Sequence, residues 1–302
     1  MKHKSQCEFG KLLHNIPLQK LNAWRIGGSA KEYFRPNSLE DCSNFLKSRD
    51  NNSDITWLGL GSNLLIRDEG IQGCVIHTLS GMKKKSFDNK KNLFYAEAGV
   101  PCCQLSRFIA KNHFHGAEFL AGVPGTMGGA LAMNAGAHGA ELCEFVESVD
   151  VINRSGEIIN IPASEYIIGY RSVRPKESRV DLKNTWFVAC YLKFPKGDMR
   201  SALEKIRDLL AIRARTQPIN QPSCGSVFRN PEGAYAAQLI EAAGLKGYRV
   251  GGAEVSRKHA NFIANIDNAK ASDVEQVILD VQNAVLDRYE YKLDLEVKIV
   301  GC

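Results

Sequence analysis

The stretch 122–139, Gly-Val-Pro-Gly-Thr-Met-Gly-Gly-Ala-Leu-Ala-Met-Asn-Ala-Gly-Ala-His-Gly, constrains this chain more than any other segment. It carries six glycines in eighteen residues, with mostly small neighbours. Such a run packs little side-chain volume, so its backbone must approach something else closely. A second loop, Gly59-Leu-Gly-Ser-Asn63, sits between the apolar runs 55–60 and 64–66, and a glycine pair stands at Gly27-Gly28. Each loop alone reads equally well as a tight structural turn. Together, with hydroxyls at Ser62 and Thr126, they suit a pyrophosphate-containing cofactor held between two lobes, because clustered backbone N–H groups bind phosphate oxygens. A Rossmann fingerprint is absent: Gly59-Leu60-Gly61 opens like G-x-G-x-x-G, but the sixth position is Leu64.

Composition matters here for what it excludes. A chain of 302 residues, 44% hydrophobic and 24% charged, is neither disordered nor fibrous, and its length suggests about two domains. The net charge of +6 suits an acidic small substrate or a nucleic acid. No interleaving of aromatics with bases marks an RNA-binding sheet, and the P-loop, H-E-x-x-H and G-x-S-x-G patterns are missing. The nine cysteines (7, 42, 74, 102, 103, 143, 190, 224 and 302) are odd in number and form no C-x-x-C, which points to reduced, mostly buried thiols in a cytoplasmic protein. The first residues lead into no apolar leader core, and no run approaches the ~18 residues of a spanning helix. His113-Phe-His115 lacks a third ligand at metal spacing, so no metal site is expected.

Periodicity predicts helices over 38–50, capped by Ser38 with Asp41 in a capping-box position, and over 101–112, 198–214, 233–243 and 273–289. Strands are expected at 55–60, 64–66, 74–77, 93–98, 186–194, 261–265 and 293–300, with a hairpin at 149–161 turning over 153–156. Lys83-Lys84-Lys85 reads as a solvated turn or edge strand. The composition shift after Pro195 places a domain boundary near 195–200. Beyond the 217–222 connector, Cys224-Gly-Ser-Val-Phe-Arg-Asn-Pro231 is a second site candidate. Gly225 permits an unusual backbone angle, and the Ser226 hydroxyl can donate a proton if its surroundings polarise it.

At this point the motifs resemble a known family over about 18–301. They are Asn22-Ala-Trp-Arg-Ile-Gly-Gly28, Gly59-Leu-Gly-Ser-Asn-Leu-Leu65, Gly122-Val-Pro-Gly-Thr-Met-Gly-Gly129 with Asn134-Ala-Gly136, Gly169-Tyr-Arg171, Gly225-Ser-Val-Phe-Arg-Asn-Pro231, Ala243-Gly-Leu-Lys-Gly247, Ser256-Arg-Lys-His-Ala-Asn-Phe262 and Leu293-Asp-Leu-Glu-Val297. Any one is weak, but in this order they resemble the UDP-N-acetylenolpyruvoylglucosamine reductase (MurB) family. The short path from Tyr170 to strand 186–194 resembles its second structural type, which lacks an extra substrate-covering loop.

The resemblance implies an α+β flavoenzyme. Residues 1–197 would form a two-lobed FAD domain of the vanillyl-alcohol-oxidase type, with lobes at about 1–78 and 79–197, and 198–302 a substrate-binding domain. FAD would be non-covalent and NADPH the co-substrate. The matching cofactor positions are Arg25, Gly27, Gly28, Gly59, Gly61, Ser62, Asn63, Leu64, Gly122, Pro124, Gly125, Thr126, Gly128, Gly129, Asn134, Gly136 and Gly139. The family reduces the enolpyruvyl ether of UDP-N-acetylglucosamine to UDP-N-acetylmuramate, for peptidoglycan synthesis. Its catalytic serine, arginine and glutamate match Ser226, Arg171 and Glu296. In that chemistry hydride enters the terminal enolpyruvyl carbon, a forked cation neutralises the enolate beside the carboxylate, and serine protonates the other carbon. Glu296 must then be protonated or paired with Arg171, since two adjacent carboxylates repel. Asn230 matches a substrate contact, and Arg213 and Arg215 are candidates for the UDP diphosphate. The expected state is a cytoplasmic monomer with no nucleic-acid or membrane partner. Two alternatives stand beside this reading: an FAD oxidase of the same fold acting on a small alcohol, and a non-redox nucleotide-sugar or RNA binder.

Overall fold

The computed structural model describes residues 10–50 and 54–302. Cys7 and the rest of the N-terminal segment judged above for a leader lie outside the described residues. The first lobe contains β1 (Lys11–Pro17), β2 (Ser29–Arg35), α1 (Leu39–Lys47), β3 (Ile55–Leu58), β4 (Leu64–Ile66) and β5 (Ile71–His77). Four of the strands form a mixed sheet in the order β1-β2-β5-β3, with β2, β5 and β3 parallel. Helix α1 starts as expected: the Ser38 hydroxyl accepts the Asp41 N–H at 3.1 Å. The Asp41 carboxylate takes the Asn37 N–H at 2.8 Å, one residue before the cap. The buried side of α1, Cys42 and Leu46, packs on Phe34, Cys74 and Ile76.

The second lobe is built on β6 (Lys85–Asp88), β7 (Leu93–Glu97), α2 (Cys102–Lys111), α3 (Met127–Ala132), the short pair β8 (Gly136–Ala137) and β9 (Ala140–Glu141), β10 (Val146–Asn153), β11 (Ile158–Pro162), β12 (Tyr166–Gly169), β13 (Ser172–Pro175) and β14 (Thr185–Leu192). An antiparallel sheet runs β11-β10-β14-β7-β6, so Lys85 does lie on an edge strand. One face, with Phe94, Val149 and Leu192, packs on Leu105 and Ile109 of α2 and Met127 and Leu131 of α3. Burying each side chain of this size contributes about 1.5–3 kcal/mol. The β10–β11 hairpin turns where expected: Asn153 Oδ1 accepts the Glu157 N–H at 2.9 Å. Gly156 is left-handed at φ +75°, and its carbonyl accepts the Ser43 hydroxyl of α1 at 2.6 Å, tying the lobes together.

The rest of the chain forms α4 (Met199–Thr216), α5 (Ala236–Ala242), β15 (Arg249–Val250), β16 (Ala253–Val255), β17 (Ile263–Asn265), α6 (Ala271–Tyr289) and β18 (Lys298–Val300). Helix α4, capped by Asp198, lays Ala202 and Ile206 on Ala110 and Ala121 of the second lobe. The predicted stripe of α6, Val274, Val277, Ile278, Val281 and Val285, is buried in one core with Phe228 and with Trp24 and Leu65 of the first lobe. The Trp24 indole N–H donates to the Ile263 carbonyl at 2.7 Å. Strand β18 pairs in parallel with β4, Lys298 opposite Leu64. The expected strand 293–300 is therefore shorter. Residues before Lys298 instead meet the 227–229 segment, with Arg229 N–H donating to Asp294 at 2.8 Å and Glu296 N–H to Val227 at 2.8 Å.

Candidate active site

A cavity of about 540 Å³ opens where the two lobes and the C-terminal part meet. The glycine loops form one wall. The Ser62 hydroxyl donates to the Pro124 carbonyl at 2.5 Å, so the 59–63 loop and the 122–129 segment are clasped. A Cβ on residue 59 would stand 2.3 Å from Thr126 Oγ1, so glycine there permits that contact. Gly61 is left-handed, at φ +59°. Below the loop, His77 Nε2 lies 3.0 Å from the Gly59 carbonyl, and Nδ1 faces the Tyr33 hydroxyl. Burial lowers the His77 pKa, which favours the neutral ring. Since a carbonyl only accepts, Nε2 carries the proton and Nδ1 accepts from Tyr33.

These loops pass a test for an anionic cofactor. The backbone N–H groups of Leu60, Gly61, Ser62, Asn63, Gly125 and Thr126 meet no protein acceptor among the described residues, and all six residues line the cavity. Loop amides left free in this way form a concave donor set for phosphate oxygens. The Trp57 indole N–H is also buried without a protein partner, and Trp57 and Trp186, 5.5 Å apart, line the same space. Donors, aromatic faces and size fit a dinucleotide.

Arg171, Glu296 and Ser226 all line the cavity. Strands β12 and β13 pair Gly169 with Ser172, which leaves Tyr170 and Arg171 as a two-residue turn with Arg171 at φ +51°. The Arg171 guanidinium donates from Nε to Glu296 Oε1 at 3.1 Å and from Nη2 to the Gly136 carbonyl at 3.0 Å. Burial raises the Glu296 pKa, against the opposing pull of Arg171 and, more weakly, Arg229. The anticipated pairing of Glu296 with Arg171 is thus present, with the carboxyl also biased towards its protonated form. Ser226 follows Gly225, which is left-handed at φ +70°. The Val227 carbonyl accepts the Glu296 and Val297 N–H groups at 2.8 and 3.3 Å, which brings the backbone after Ser226 against 296–297, and Ser226 and Glu296 line the same cavity. The Ser226 hydroxyl has no hydrogen-bond partner among the described residues.

Of the other predicted positions, Gly59, Gly61, Ser62, Asn63, Leu64, Gly122, Pro124, Gly125, Thr126, Gly128, Gly129 and Gly136 line the cavity, whereas Arg25, Gly27, Gly28, Asn134 and Gly139 do not. At Gly27 and Gly28 an added Cβ would meet the Ile66 and Asp68 carbonyls at 2.4 Å, so close backbone packing requires glycine there. Asn134 is fully buried and spent inside the protein. Its Nδ2 donates to Glu141 Oε2 at 2.7 Å and to the Gly169 carbonyl at 3.3 Å, and its Oδ1 accepts the Cys143 N–H at 3.0 Å. Asn230 is exposed and takes the first amide of α5, Ala236 N–H, at 3.1 Å. Arg213 is half-buried and donates to Gln217 Oε1 at 3.1 Å. Gln217 itself lines the cavity, whereas Arg215 is exposed. Sequence reasoning did not single out Lys298, Trp57 or Trp186, which line the cavity, or Arg229 behind it. Lys298 could have been found, two residues from Glu296 and so on the same side of an extended chain. No metal-binding cluster occurs among the described residues.

Comparison with known proteins accords with this geometry. Residues 217–300 match the family model for the UDP-N-acetylenolpyruvoylglucosamine reductase C-terminal domain, and residues 30–162 match an FAD binding domain. The UDP-N-acetylenolpyruvoylglucosamine reductase of Methylococcus capsulatus is 47% identical over 292 residues, 97% of this chain and 94% of that one. The enzyme of that name from Legionella pneumophila (strain Corby) is 45% identical over 293 residues, 97% and 93% of the two chains. The crystal structure of the Thermus caldophilus reductase superposes with a TM-score of 0.81 at 28% identity, covering 97% of this chain and 100% of that one. Identity this high along nearly the whole length of both chains goes with shared fold and chemistry, and the chain belongs to the UDP-N-acetylenolpyruvoylglucosamine reductase (MurB) family of FAD-dependent oxidoreductases.

Proposed function

We propose that the protein reduces the enolpyruvyl ether of UDP-N-acetylglucosamine to UDP-N-acetylmuramate with NADPH as reductant, and that Arg171, Ser226 and Glu296 handle the substrate. The observation that carries this reading is the Arg171–Glu296 pair, 3.1 Å apart, in the cavity whose other wall offers free amides. Bound FAD supplies the hydride carrier between NADPH and substrate. The 60–63 and 125–126 amides would hold its phosphates.

When hydride reaches the terminal carbon, negative charge builds on the substrate carboxylate. Arg171, permanently cationic and forked, neutralises it. The Ser226 Oγ–H protonates the adjacent carbon, so hydride and proton together saturate the double bond, and Ser226 regains its proton from water. Protonated Glu296 frees the Arg171 fork for the substrate. Ionised Glu296 holds the fork and repels the incoming carboxylate, so kcat/KM falls as pH rises through the raised pKa of Glu296.

We infer a division of labour in which residues up to about 197 hold the cofactor and 198–302 cap the substrate, with α4 packed on the first part. Asn230, Arg213 and Arg215 would then lie on the substrate side. No helix among the described residues is long and apolar enough to cross a membrane. Separately, use of NADPH and a nucleotide-sugar substrate leads us to propose a cytoplasmic enzyme, acting as a monomer. The test is NADPH oxidation by the FAD-loaded protein with and without the enolpyruvyl substrate. Oxidation that depends on substrate supports the reading. Equal rates without it, or a protein that retains no FAD, overturn it.

A further inference from the structure

Arg229 stands behind the Arg171–Glu296 pair and does not line the cavity. Its backbone is held firmly. The Arg229 N–H donates to the Asp294 carbonyl at 2.8 Å, and Asn261 clamps the neighbouring Phe228, accepting its N–H at 2.9 Å and donating to its carbonyl at 2.8 Å. The side chain reaches back to the hairpin, where Nη2 donates to the Arg171 carbonyl at 3.4 Å. That carbonyl belongs to a residue held left-handed at the tip of a two-residue turn, a conformation that needs outside support in any residue other than glycine.

The charge arithmetic is unusual too. Arg229 Nε is buried with no partner, and Arg229 forms no ion pair among the described residues. The carboxylate in its field is Glu296, which Arg171 already binds. A buried Nε–H without an acceptor is costly to keep. Two cations therefore lie in the field of the Glu296 carboxylate, while Glu141, the next acid beside Arg171, is hydrogen-bonded to Asn134. Lys298, two residues along, lines the same cavity.

We propose that Arg229 is a positioning residue for the reduction: it braces the Arg171 turn from behind and supplies a second positive charge in the field of Glu296. This rests on the roles proposed above for Arg171 and Glu296. Besides Lys298 of its own segment, the charged groups facing Glu296 are Arg171 from the hairpin and Arg229 from the 227–229 segment. Removing Arg229 makes the proton on Glu296 harder to lose, so the alkaline limb of kcat/KM must move to higher pH.

The experiment compares wild type, Arg229→Met, Arg229→Lys, Glu296→Gln and the double variant Arg229→Met/Glu296→Gln as FAD-loaded enzymes. Flavin content, flavin reduction by NADPH, kcat and the pH profile are read for each. Arg229→Met should keep its flavin and its reduction by NADPH, lose kcat roughly tenfold or more, and shift the alkaline limb up by about one pH unit. Arg229→Lys should return the limb to its wild-type position while kcat stays low, because a lysine keeps the charge and loses the forked reach. In the double variant no limb should remain to shift. If Arg229→Met does not fold, Arg229→Lys alone carries the test through its low kcat and unmoved limb. A limb that Glu296→Gln removes but Arg229→Met leaves in place overturns the role of Arg229 alone. So does a kcat in Arg229→Lys within twofold of wild type. A limb that survives Glu296→Gln overturns the role of Glu296, and this inference with it.

Discussion

Ser226 shows how little a single residue type reveals until its surroundings are known. A free hydroxyl that shares a cavity with a half-buried carboxyl and an arginine can lose a proton to a developing carbanion, whereas a solvated serine cannot do so usefully. Replacing Ser226 by Ala should lower kcat by about 10²–10⁴-fold. Flavin reduction by NADPH, followed by stopped-flow absorbance, should proceed at the wild-type rate. Loss of both half-reactions would mean that Ser226 serves the fold. Glu296→Gln should abolish the alkaline fall in kcat/KM, because an amide cannot ionise in the pH range where the raised carboxyl does. Cys224 is a contrasting case. It adjoins the serine loop and lines the cavity, but burial pushes its pKa well up, and its thiol donates to the Leu64 carbonyl at 3.5 Å. The native thiol should react with a disulfide reagent at pH 8 far more slowly than after unfolding in guanidinium, measured by thiolate release.

At the scale of elements, the β12–β13 hairpin matters most, since its turn carries Arg171. Asn134, a cofactor position by the resemblance, pins this hairpin through Gly169 and Cys143 through its other side-chain atom. Asn134→Ala leaves buried groups unpaired, so it should cost about 1–3 kcal/mol of stability in a denaturant titration. It should also lower kcat, by loosening the Arg171 turn. An unchanged midpoint would instead favour a direct contact between Asn134 and the cofactor. Helices α1, α2 and α6 were legible because each buries one apolar stripe, and the β10–β11 turn because Asn153 and Gly156 have few other uses. The β12–β13 hairpin was not legible: Ile167 and Ile168 are both well exposed, so its strands lack the in–out alternation that marks a strand. Strands β1 and β2 were also missed. β1 is largely exposed along its length and presents no buried face to read. Helix α5 starts later than predicted because Asn230 accepts its first amide, a contact that spacing does not announce.

For the whole molecule, the decisive contacts join the C-terminal part to the first lobe. β18 lies beside β4, and Trp24 and Leu65 share a core with the α6 stripe. The 59–63 loop is thus gripped between the second lobe, through Ser62 and Pro124, and the chain end, through Asn63, whose N–H₂ donates to the Glu296 carbonyl at 3.0 Å. Truncation after Val297 should strip β4 of its partner, lower the thermal midpoint by several degrees and release flavin at lower temperature, read by the rise in free-flavin fluorescence on heating. Retention of flavin up to the wild-type midpoint would show that β18 is dispensable to the cofactor wall.

The sequence by itself determined the local chemistry: where the backbone must turn or come close, which helices have a buried stripe, and which residue types can carry phosphate, proton and negative charge. Motif order extended this to the family. What only the tertiary structure decided is which of those residues meet. Arg171 and Glu296 stand 125 positions apart and touch at 3.1 Å, with Arg229 behind them. Gly27 and Gly28 look like cofactor glycines yet pack on the backbone of 66–68, while Gly59 and Gly61 line the cavity. The reason is physical. Turn and helix preferences act within a few residues and leave a periodic trace. Burial, and the upward pull it exerts on the pKa of Glu296 and Cys224, depends on groups from distant elements that no local pattern records.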